Sequence, residues 1–329
     1  MALYVSHGLT LGIELLGREI AAHLDQLLQD LAWVRCDAAI TKPSLSLRVS
    51  LDGCQVSIPP AAHELFRADG FSVGELGEDF YLTDGSSTFH SRVATCEGDV
   101  SLSPSFLHKP LILQRNFWAF ALLKLLRNLG IFTLHAAGVT RNGLGVLIVG
   151  SPGSGKSTLA IGLVRLGWSY LSDDALLLRR HRDGIEALAL RKHFYLNTDT
   201  ASDYAEIPLG EEIPDAHGGR KRKLQIEQVY PAQYVEKCDP KVLLFSRIVS
   251  DTQSALFPCD RVTALKNLLE QSGPQLFDRR TMDQQLEVLS GLVGQTECYE
   301  LRAGLDLYRD PARLAHLLAG CEPDERWLD

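Results

Sequence analysis

The chain has 329 residues, of which 45% are hydrophobic, and its formal net charge at pH 7 is −8. A chain of this length can bury the core of one full domain and that of a smaller companion. Its acidic balance argues against a nucleic-acid-binding surface, so no nucleic-acid partner is expected.

The seven cysteines are scattered along the chain, odd in number and without a C-x-x-C pair. This usage predicts reduced thiols in a cytoplasmic protein and no zinc site. The opening residues, Met-Ala-Leu-Tyr-Val-Ser-His, have neither the basic region nor the apolar core of an export signal. A cytoplasmic location is therefore the expectation.

Residues 1–109 predict a small α+β domain. Apolar residues recur at helical spacing from residue 13 to residue 31, which predicts an amphipathic helix that ends near Trp33. The histidines of this part show no metal-ligand spacing, so solvated or core roles are expected for them. A substrate-binding role and a dimerising role, which would make the protein a homo-oligomer, both fit this domain, and its residues select neither.

A β-hairpin is predicted in the same part of the chain. Apolar and polar residues alternate over residues 45–51, which indicates a strand with one buried face. Asp52-Gly53 then supplies a turn, and Val56 and Ile58 lie on the returning strand.

Residues 110–130 predict a buried helix that connects the two parts and packs on the sheet of the second. Gly130 is a suitable C-cap, and Arg127 lies where the helix dipole favours a cation. A membrane span is excluded, because polar side chains interrupt the apolar run, and no membrane partner is expected. The interrupting residues are Gln114, Arg115, Asn116, Lys124 and Arg127.

Residues 131–139 predict a strand, and Asn142-Gly143 after it is the pattern most typical of a two-residue hairpin turn. With a tight turn, the register of the hairpin carries His135 to a position opposite Gly150. His135 would then lie beside the loop that follows the next strand. A longer turn would shift this register, and a packed, hydrogen-bonded core histidine is the alternative.

An apolar strand over residues 144–149 is followed directly by the motif G-x-x-x-x-G-K-[ST], and a helix begins near Lys156. The motif's glycines let consecutive backbone N–H groups point at phosphate oxygens, at the positive end of the helix dipole. The motif predicts a site for ATP and Mg²⁺, with Lys156 on the β- and γ-phosphates and the Ser157 hydroxyl on the metal. The predicted cofactor-binding residues are Gly150, Ser151, Pro152, Gly153, Ser154, Gly155, Lys156, Ser157 and Thr158.

Residues 168–173 predict a strand. A right-handed crossover brings the end of this strand to the same sheet edge as the phosphate-binding motif, which is called the P-loop below. Asp173 and Asp174 end this strand and are expected beside the phosphates, where ligands bind in open α/β sheets. Because side chains alternate along a strand, the two carboxylates are expected to point in different directions and to differ in role. One can hold metal while the other faces a nucleophile. An acidic turn at a strand end is the alternative.

Residues 175–178 and 185–190 predict two strands joined by the turn Arg182-Asp183-Gly184. Residues 197–225 are rich in acids and end in a basic run, which predicts a mobile surface loop. The basic run is either solvated or part of a lid that closes over the transferring phosphate. The sequence does not select among the three candidates for that contact, which are Lys221, Arg222 and Lys223.

The chain continues with a predicted strand over residues 241–249 and several helices. These helices are expected to cover the sheet or an oligomer surface. Apolar residues at helical spacing mark three of them, namely Ala264, Leu265, Leu268 and Leu269, then Leu286 and Leu289, and finally Leu314, Leu317 and Leu318.

Together, His135-Ala-Ala-Gly, the P-loop and Leu171-Ser-Asp-Asp174 resemble the catalytic half of HPr kinase/phosphorylase and its relatives. The resemblance covers residues 131–180 and is loose beyond them. It implies the P-loop fold that this family shares with PEP carboxykinase.

The resemblance also implies roles for individual residues. It makes His135 an active-site histidine, Lys156 a phosphate ligand and Ser157 a magnesium ligand. It makes Asp174 the group that takes the proton from the substrate hydroxyl, and Asp173 a support for the metal.

Two features depart from the family pattern. The family usually follows its P-loop Lys-Ser with Glu, where this chain has Thr158. The family also has a downstream Glu-x-Arg-Gly signature that supplies a metal-ligating Glu, which residues 185–196 lack, and Glu186 is not a safe substitute. The chain is therefore more similar to the broad set of HPr-kinase-related proteins, some of which are encoded with ribosomally made peptides and phosphorylate a serine of the precursor. The phosphorylase half of the family's activity is the part least supported.

These residues favour an ATP-dependent kinase that phosphorylates a serine hydroxyl of a peptide or protein. A small-molecule kinase of the same mechanism and a nucleotide-binding regulatory module without rapid catalysis are the alternatives. A regulatory module that only binds nucleotide needs no general base. The two acids beside an intact P-loop therefore argue against that alternative. The expected fold class is α/β, with a PEP carboxykinase-like P-loop kinase domain over residues 131–329, a connecting helix over 110–130 and a smaller N-terminal α+β domain over 1–109.

Overall fold

The structure of the chain is a computed structural model with a mixed α/β fold. It divides into two compact units, the first formed by Met1–Phe132 and Pro274–Asp283 and the second by Thr133–Gly273 and Gln284–Asp329. None of the helices among the residues described below is long and apolar enough to cross a membrane. The structure describes residues 1–320 apart from 17–19, 38–41, 52–57, 69, 93–94, 183, 203, 209–211, 215–219 and 273–278.

The first unit is built on one nine-stranded sheet. Its strands are β1 (Ala2–Ser6), β2 (Leu9–Leu16), β3 (Val34–Cys36), β4 (Leu45–Ser50), β5 (His63–Ala68), β6 (Phe71–Leu76), β7 (Asp79–Thr83), β8 (Thr88–Arg92) and β9 (Glu97–Ser101). Their order in the sheet is β3-β1-β2-β4-β9-β8-β7-β6-β5. The helices are α1 (Ala21–Asp30), a 3₁₀ helix (Pro104–His108) and α2 (Leu111–Arg127). The unit extends to Phe132 and thus includes the helix predicted to connect two parts.

The predicted amphipathic helix is wrong in its first half, because residues 9–16 form strand β2 and α1 begins only at Ala21. Leu11 and Ile13 of β2 are fully buried. The segment also alternates with the period of a strand, and it hydrogen-bonds to β1 on one side and β4 on the other. Two ladders satisfy its backbone on both edges, so pairing in the sheet outweighs the helical spacing of its leucines.

The predicted hairpin after residue 51 is also wrong in its pairing. Strand β4 confirms the alternation of residues 45–51, but its two neighbours are β2 and β9, and it runs parallel to both. Both edges of β4 are therefore occupied, and a hairpin partner has no place beside it. Ile58 lies outside any strand. The predicted turn at Asp52-Gly53 and Val56 lie outside the described residues.

The second unit contains three sheets. Their strands are β10 (Ile131–Leu134), β11 (Ala136–Arg141), β12 (Leu144–Val149), β13 (Ser169–Ser172), β14 (Leu176–His181), β15 (Gly184–Ala189), β16 (His193–Asn197), β17 (Glu212–Pro214), β18 (Arg220–Gln225), β19 (Lys237–Cys238), β20 (Pro240–Ile248), β21 (Ala255–Pro258) and β22 (Glu297–Ala303). The largest sheet has the order β13-β11-β12-β20-β22-β21, the second β10-β14-β15-β19 and the third β16-β18-β17. The helices are α3 (Lys156–Arg165), α4 (Thr198–Ser202), α5 (Ile226–Val229), α6 (Arg261–Glu270), α7 (Arg279–Gln295), α8 (Leu305–Arg309) and α9 (Ala312–Ala319). The first residues of β10 and of α7 belong to the first unit.

The hairpin before the P-loop forms as predicted. Asn142 and Gly143 have φ values of 50° and 83°, the left-handed pair that a two-residue type I′ turn requires. β11 and β12 are antiparallel, and the last pair of their ladder is Ala136 with Val149. The next residues in this register are His135 and Gly150, so the histidine lies beside the start of the P-loop.

The predicted strand over residues 131–139 is divided at His135. β10 precedes this residue and joins one sheet, whereas β11 follows it and joins another. The N–H of His135 donates to the carbonyl oxygen of Gln271 over 2.9 Å, so it is paired outside either sheet. The division lets one continuous apolar segment contribute to two sheets.

The largest sheet brings the ends of two strands to the P-loop. β11 pairs antiparallel with β12 and with β13, so β12 and β13 run in the same direction. Strand β20 is parallel to β12 on its other side and confirms the strand predicted over residues 241–249. The C-terminal ends of β12, β13 and β20 therefore meet at one edge, where α/β proteins bind their ligands.

The predicted mobile loop over residues 197–225 is wrong for the described part of that segment. Strand β18 pairs with β16 over five residue pairs, from His193 with Gln225 to Asn197 with Lys221, and β17 pairs with its other edge. Leu196 and Leu224 are buried in the core that packs on α3. The prediction of a loop rested on the many charged residues of this segment. Buried apolar residues alternate with these charged residues along the strands, which is the pattern of a sheet.

Four further elements that were predicted in this unit are present. β14 and β15 form the predicted hairpin, in which His181 pairs with Gly184. Helices α6, α7 and α9 confirm the three helices marked by leucine spacing. Strands β21 and β22 were not predicted. Of the seven cysteines, the structure describes five, all with free thiols, and Cys54 and Cys321 lie outside the described residues.

Candidate functional site

The P-loop begins at Gly150, where only a glycine fits. A Cβ atom at this position would lie 2.5 Å from Ser154 Oγ and 2.7 Å from the carbonyl oxygen of Ser246. The loop then reaches α3, which begins at Lys156. Thr158 lies in the first turn of this helix and is half-buried. The sequence therefore folds here into a tight loop that ends at a helix N-terminus, an arrangement that presents backbone N–H groups to anions.

Lys156 is buried and folds back over the loop. Its Nζ donates to the carbonyl oxygens of Gly150, at 2.7 Å, and Ser151, at 3.0 Å. Burial lowers the pKa of Lys156, although the carboxylates of Asp173 and Asp174 oppose that effect. The ammonium group is thus held at the mouth of the loop close to both predicted acids.

Asp173 lies directly against the P-loop helix and is 1% exposed. Its Oδ1 accepts a hydrogen bond of 2.9 Å from Ser157 Oγ, and its Oδ2 accepts one of 3.3 Å from the N–H of Tyr195. Burial and the neighbouring Asp174 raise the pKa of Asp173 to about 6, against the opposing effect of these hydrogen bonds. The two predicted metal ligands, Ser157 and Asp173, are therefore in contact.

Asp174 contacts a different set of partners. Its Oδ2 accepts a 2.6 Å hydrogen bond from Nη1 of Arg191, and its Oδ1 lies 3.5 Å from Nδ1 of His135. The side chain is 45% exposed, so a ligand can reach it. Burial of the site raises the pKa of Asp174, but interactions with Arg191, His135 and Lys156 outweigh burial and hold the pKa below its ordinary value. The carboxylate is thus ionised at neutral pH.

The two carboxylates do diverge, but strand alternation is not the reason. β13 ends at Ser172, so both acids lie beyond the strand. Asp174 has a φ of 66°, in the left-handed region, and this local turn directs its side chain away from that of Asp173. The turn therefore separates the two carboxylates.

His135 is held against the same turn. Its Nδ1 lies 2.6 Å from the carbonyl oxygen of Asp174, which makes Nδ1 the protonated nitrogen. Among the described residues, its buried Nε2 has no hydrogen-bond partner. Burial lowers the pKa of His135, Lys156 and Arg191 lower it further, and Asp174 opposes them. In this tautomer of a neutral histidine, Nε2 is the acceptor nitrogen.

Arg191 and Ser246 belong to the site and were not predicted. Arg191 lies in the connection between β15 and β16, and its side chain is 15% exposed. Ser246, near the end of β20, has its Oγ 3.2 Å from that of Ser154 in the P-loop. No motif marks either residue. Their positions in the sequence were the available signal. Arg191 follows the apolar strand β15 and Ser246 lies near the end of the apolar strand β20, and ligands bind at the ends of such strands.

The structure distinguishes the three basic residues of the predicted lid, which lie on β18. Arg222 is buried, and its guanidinium lies 3.8 Å from the carboxylate of Glu212. Lys221 faces the opposite side of the strand and lies close enough to Lys156 and Asp174 to lower the pKa of each. Lys223 lies two residues along the strand from Lys221 and shares its face. The charge of Lys221 therefore reaches the P-loop and the acids.

Glu186 lies in a separate ion-pair cluster on β15. Its buried carboxylate contacts Arg179 Nε at 2.5 Å, His181 Nδ1 at 3.5 Å and Lys237 Nζ at 3.7 Å. These basic side chains satisfy the carboxylate of Glu186 locally. Within the described part of the chain, no group of three or more histidine, cysteine or acidic side chains is arranged to hold a metal ion.

Comparison with known proteins finds matches among solved structures. No protein-family model matches the chain, and no curated protein matches it in sequence. Among solved structures, the chain is similar to the Hpr(Ser) kinase/phosphatase from Coxiella burnetii, with 12% sequence identity and a TM-score of 0.30. That match covers 57% of this chain and 94% of the other. The functional assignment of this chain therefore rests on its own residues.

Proposed function

We propose that this chain is an ATP-dependent kinase that transfers the γ-phosphate to a serine hydroxyl of a peptide or protein. The observation that carries the proposal is the contact of Ser157 Oγ with Asp173 at 2.9 Å, beside an ionised and accessible Asp174. A P-loop with one acid on its Ser and a second, differently directed acid combines a nucleotide site with a candidate base. The PEP carboxykinase-like fold and the cytoplasmic location are part of the same proposal.

The residues present suit ATP with Mg²⁺. Mg²⁺ takes one or two protein oxygens and completes its shell with phosphates and water, so Ser157 and Asp173 are a sufficient donor set without a closed cage. Burial and the neighbouring Asp174 raise the pKa of Asp173 to about 6, so a positive charge beside this carboxylate would stabilise its ionised form. A divalent cation there would supply that charge, and when bound it would neutralise charge on the β- and γ-phosphates.

The transfer itself forms a bond between the acceptor oxygen and the γ-phosphorus and breaks the bond from that phosphorus to the β-phosphate oxygen, which leaves as ADP. Asp174 accepts the proton of the acceptor hydroxyl. Because a serine hydroxyl is a weak acid, this proton moves late, and a carboxylate of low pKa suffices. Arg191 and His135 orient the carboxylate. Lys156 and Lys221 stabilise negative charge on the transferring phosphoryl group.

A regulatory module that only binds nucleotide explains less of the site. Nucleotide binding needs the P-loop and Lys156, but it gives no role to an exposed carboxylate held by Arg191 and His135. That arrangement holds an ionised acid 45% open to ligand, as a general base requires. The site therefore favours catalysis.

The test is mass spectrometry of candidate acceptors incubated with ATP and Mg²⁺, beginning with peptides encoded beside this gene. Each peptide is paired with a version in which its serines are replaced by alanine. Phosphorylation of the serine peptide alone, lost with the Asp174→Asn enzyme, supports the proposal. Transfer only to free metabolites would identify a small-molecule kinase, and ATP binding without transfer to any acceptor or to water would identify a binding module.

A further inference from the structure

Asp174 occupies a strained backbone turn. Its φ is 66°, and the N–H of Ala175 donates to the carbonyl oxygen of Asp173 over 2.7 Å. A hydrogen bond that spans one residue of positive φ defines the rare, strained form of the γ-turn. Such conformations persist only where surrounding contacts hold them, and they cluster at functional sites. The contacts around this turn therefore bear directly on the position of the proposed base.

One of the contacts that hold this turn comes from Ser172, the last residue of β13, whose side chain is fully buried. Its Oγ donates to the carbonyl oxygen of Ala175 over 2.6 Å. The same Oγ accepts hydrogen bonds from the N–H groups of Leu190, at 3.3 Å, and Arg191, at 3.2 Å. A hydroxyl has one donor hydrogen and two acceptor lone pairs, so these bonds use its full capacity.

The partners of Ser172 lie on two separate connections of the chain. Ala175 closes the turn that carries Asp174, whereas Leu190 and Arg191 connect β15 to β16, beyond the last pair of the β14–β15 ladder. One hydroxyl thus ties the backbone of the turn to the backbone of Arg191. The side chain of Arg191 then reaches Asp174, with 2.6 Å between Nη1 and Oδ2.

We propose that Ser172 is a positioning residue for phosphoryl transfer. Its hydroxyl fixes the distance between the turn of Asp174 and the segment of Arg191, and so directs the Asp174 carboxylate toward the acceptor. Ser172 is fully buried and does not touch the acceptor itself. The inference rests on the proposed kinase function, in which Ser172 would act by positioning the base Asp174.

The test compares Ser172→Val with Ser172→Thr. Valine and threonine have the same shape and the same preference for strands, so the pair differs only in the hydroxyl. The measurement is single-turnover transfer of the γ-phosphate from MgATP, to the accepted peptide or to water, together with the affinity for MgATP. We expect the valine enzyme to transfer roughly a hundredfold more slowly, as a misplaced catalytic group does, with MgATP affinity unchanged within about twofold. The threonine enzyme is expected to keep most of the wild-type rate.

A matched control removes another buried serine hydroxyl. Ser87 is 1% exposed, belongs to the first unit, and accepts a hydrogen bond of 3.1 Å from the N–H of Ser103. Ser87→Ala therefore removes one buried hydrogen bond far from the P-loop in sequence. It is expected to lower stability and to leave the transfer rate unchanged.

A double-mutant cycle separates positioning from a general loss of stability. If Ser172 acts through the pair of Asp174 and Arg191, then Ser172→Val and Arg191→Ala together slow transfer by less than the product of their separate effects. Multiplicative losses overturn the inference, as do equal rates for the valine and threonine enzymes. A valine enzyme that fails to fold beside an active threonine enzyme assigns the hydroxyl to stability alone and also overturns it. A wild-type enzyme that transfers phosphate to nothing, water included, contradicts the kinase proposal instead.

Discussion

Arg191 donates a hydrogen bond of 2.6 Å to the carboxylate of Asp174, a residue 17 positions away in the sequence. The pair joins the turn after β13 to the connection between β15 and β16, so neither side chain is positioned by a strand of its own. Whatever moves one of these connections also moves the pair. The proposed base therefore depends on the packing around it as much as on its own residue type.

The P-loop lysine is expected to be essential. Lys156→Ala should abolish phosphoryl transfer and weaken ATP binding, because it removes the positive charge at the mouth of the loop. Calorimetric titration with ATP, alongside a transfer assay, measures both effects. Lys223→Ala, on a strand of the same unit, is the control for loss of a lysine. Full turnover in the Lys156 variant would remove the kinase proposal.

Loss of the Ser157 hydroxyl should change the requirement for metal. Ser157→Ala removes one oxygen from the proposed magnesium site and leaves Asp173 without its 2.9 Å hydrogen bond. The magnesium concentration that supports half-maximal transfer is expected to rise. A titration of activity with Mg²⁺ at saturating ATP provides the measurement. An unaltered titration would place the metal elsewhere.

The two acids should separate into different defects. Asp174→Asn should bind MgATP nearly normally and transfer phosphate roughly a hundred- to ten-thousandfold more slowly, because the general base is lost. Asparagine tolerates the positive φ at this position, so the turn is retained. Asp173→Asn should instead weaken metal-dependent nucleotide binding, because the metal site loses its charge.

ATP affinity with and without Mg²⁺, measured beside single-turnover transfer, distinguishes the two variants. Thermal unfolding of each variant controls for damage to the sheet edge. The roles of the two acids would be reversed if Asp174→Asn kept full single-turnover speed while Asp173→Asn lost transfer and still bound metal. Full transfer in both would make the carboxylates structural.

Among the three lid candidates on β18, Lys221 is expected to matter for transfer. Its charge acts on Lys156 and Asp174, so Lys221→Ala should slow transfer roughly a hundredfold, as does removal of one group that stabilises developing charge. Lys223→Ala, two residues along the same face, is the matched control and should have little effect. Single-turnover transfer at saturating MgATP measures both. A larger effect at Lys223 would assign the contact to that residue.

Asp84 should make the first unit sensitive to acid. Its carboxylate is 5% exposed, lies 2.8 Å from Lys109 Nζ and accepts hydrogen bonds of 3.0 and 2.7 Å from the N–H groups of Ser86 and Ser87. Burial raises the pKa of Asp84, but these partners outweigh burial and lower it below the ordinary value of 3.8. The folded pKa is therefore the lower one, so the stabilisation is present above 3.8 and is lost as the pH falls through the folded pKa.

Asp84→Asn is expected to lower the free energy of unfolding at neutral pH by about 2 kcal/mol, because hydrogen bonds to a charged group are lost. The difference from wild type should shrink as the pH falls through the lowered folded pKa of Asp84, where the carboxylate itself becomes protonated. Urea denaturation at neutral pH and at a series of acidic pH values below 3.8 measures this. Asp99→Asn, which breaks an exposed pair with Arg48, is the control and should change little. A pH-independent effect of the Asp84 change would contradict the assignment.

The amino-acid sequence by itself determined the features that depend on neighbours along the chain. Asn142-Gly143 fixed a two-residue turn because few residue pairs adopt its backbone angles, and that turn set the register that brings His135 beside Gly150. The P-loop, the strand before it and the helix after it were predictable in the same way, because glycines and apolar periodicity within about twenty residues specify them. Local chemistry was sufficient in these places because few alternative conformations compete with it.

Tertiary structure decided what depends on partners distant in sequence. Residues 9–16 carry both helical and alternating spacing, and pairing with β1 and β4 selects the strand. Residues 197–225 look like a charged loop until β18 pairs with β16. The pairing of Arg191 with Asp174, and the hydroxyl of Ser172 that joins their backbones, depend on two connections that meet only in the folded chain. Hydrogen bonds and burial between such segments carry no local signature, because the free energy that selects them arises only once the sheet has formed.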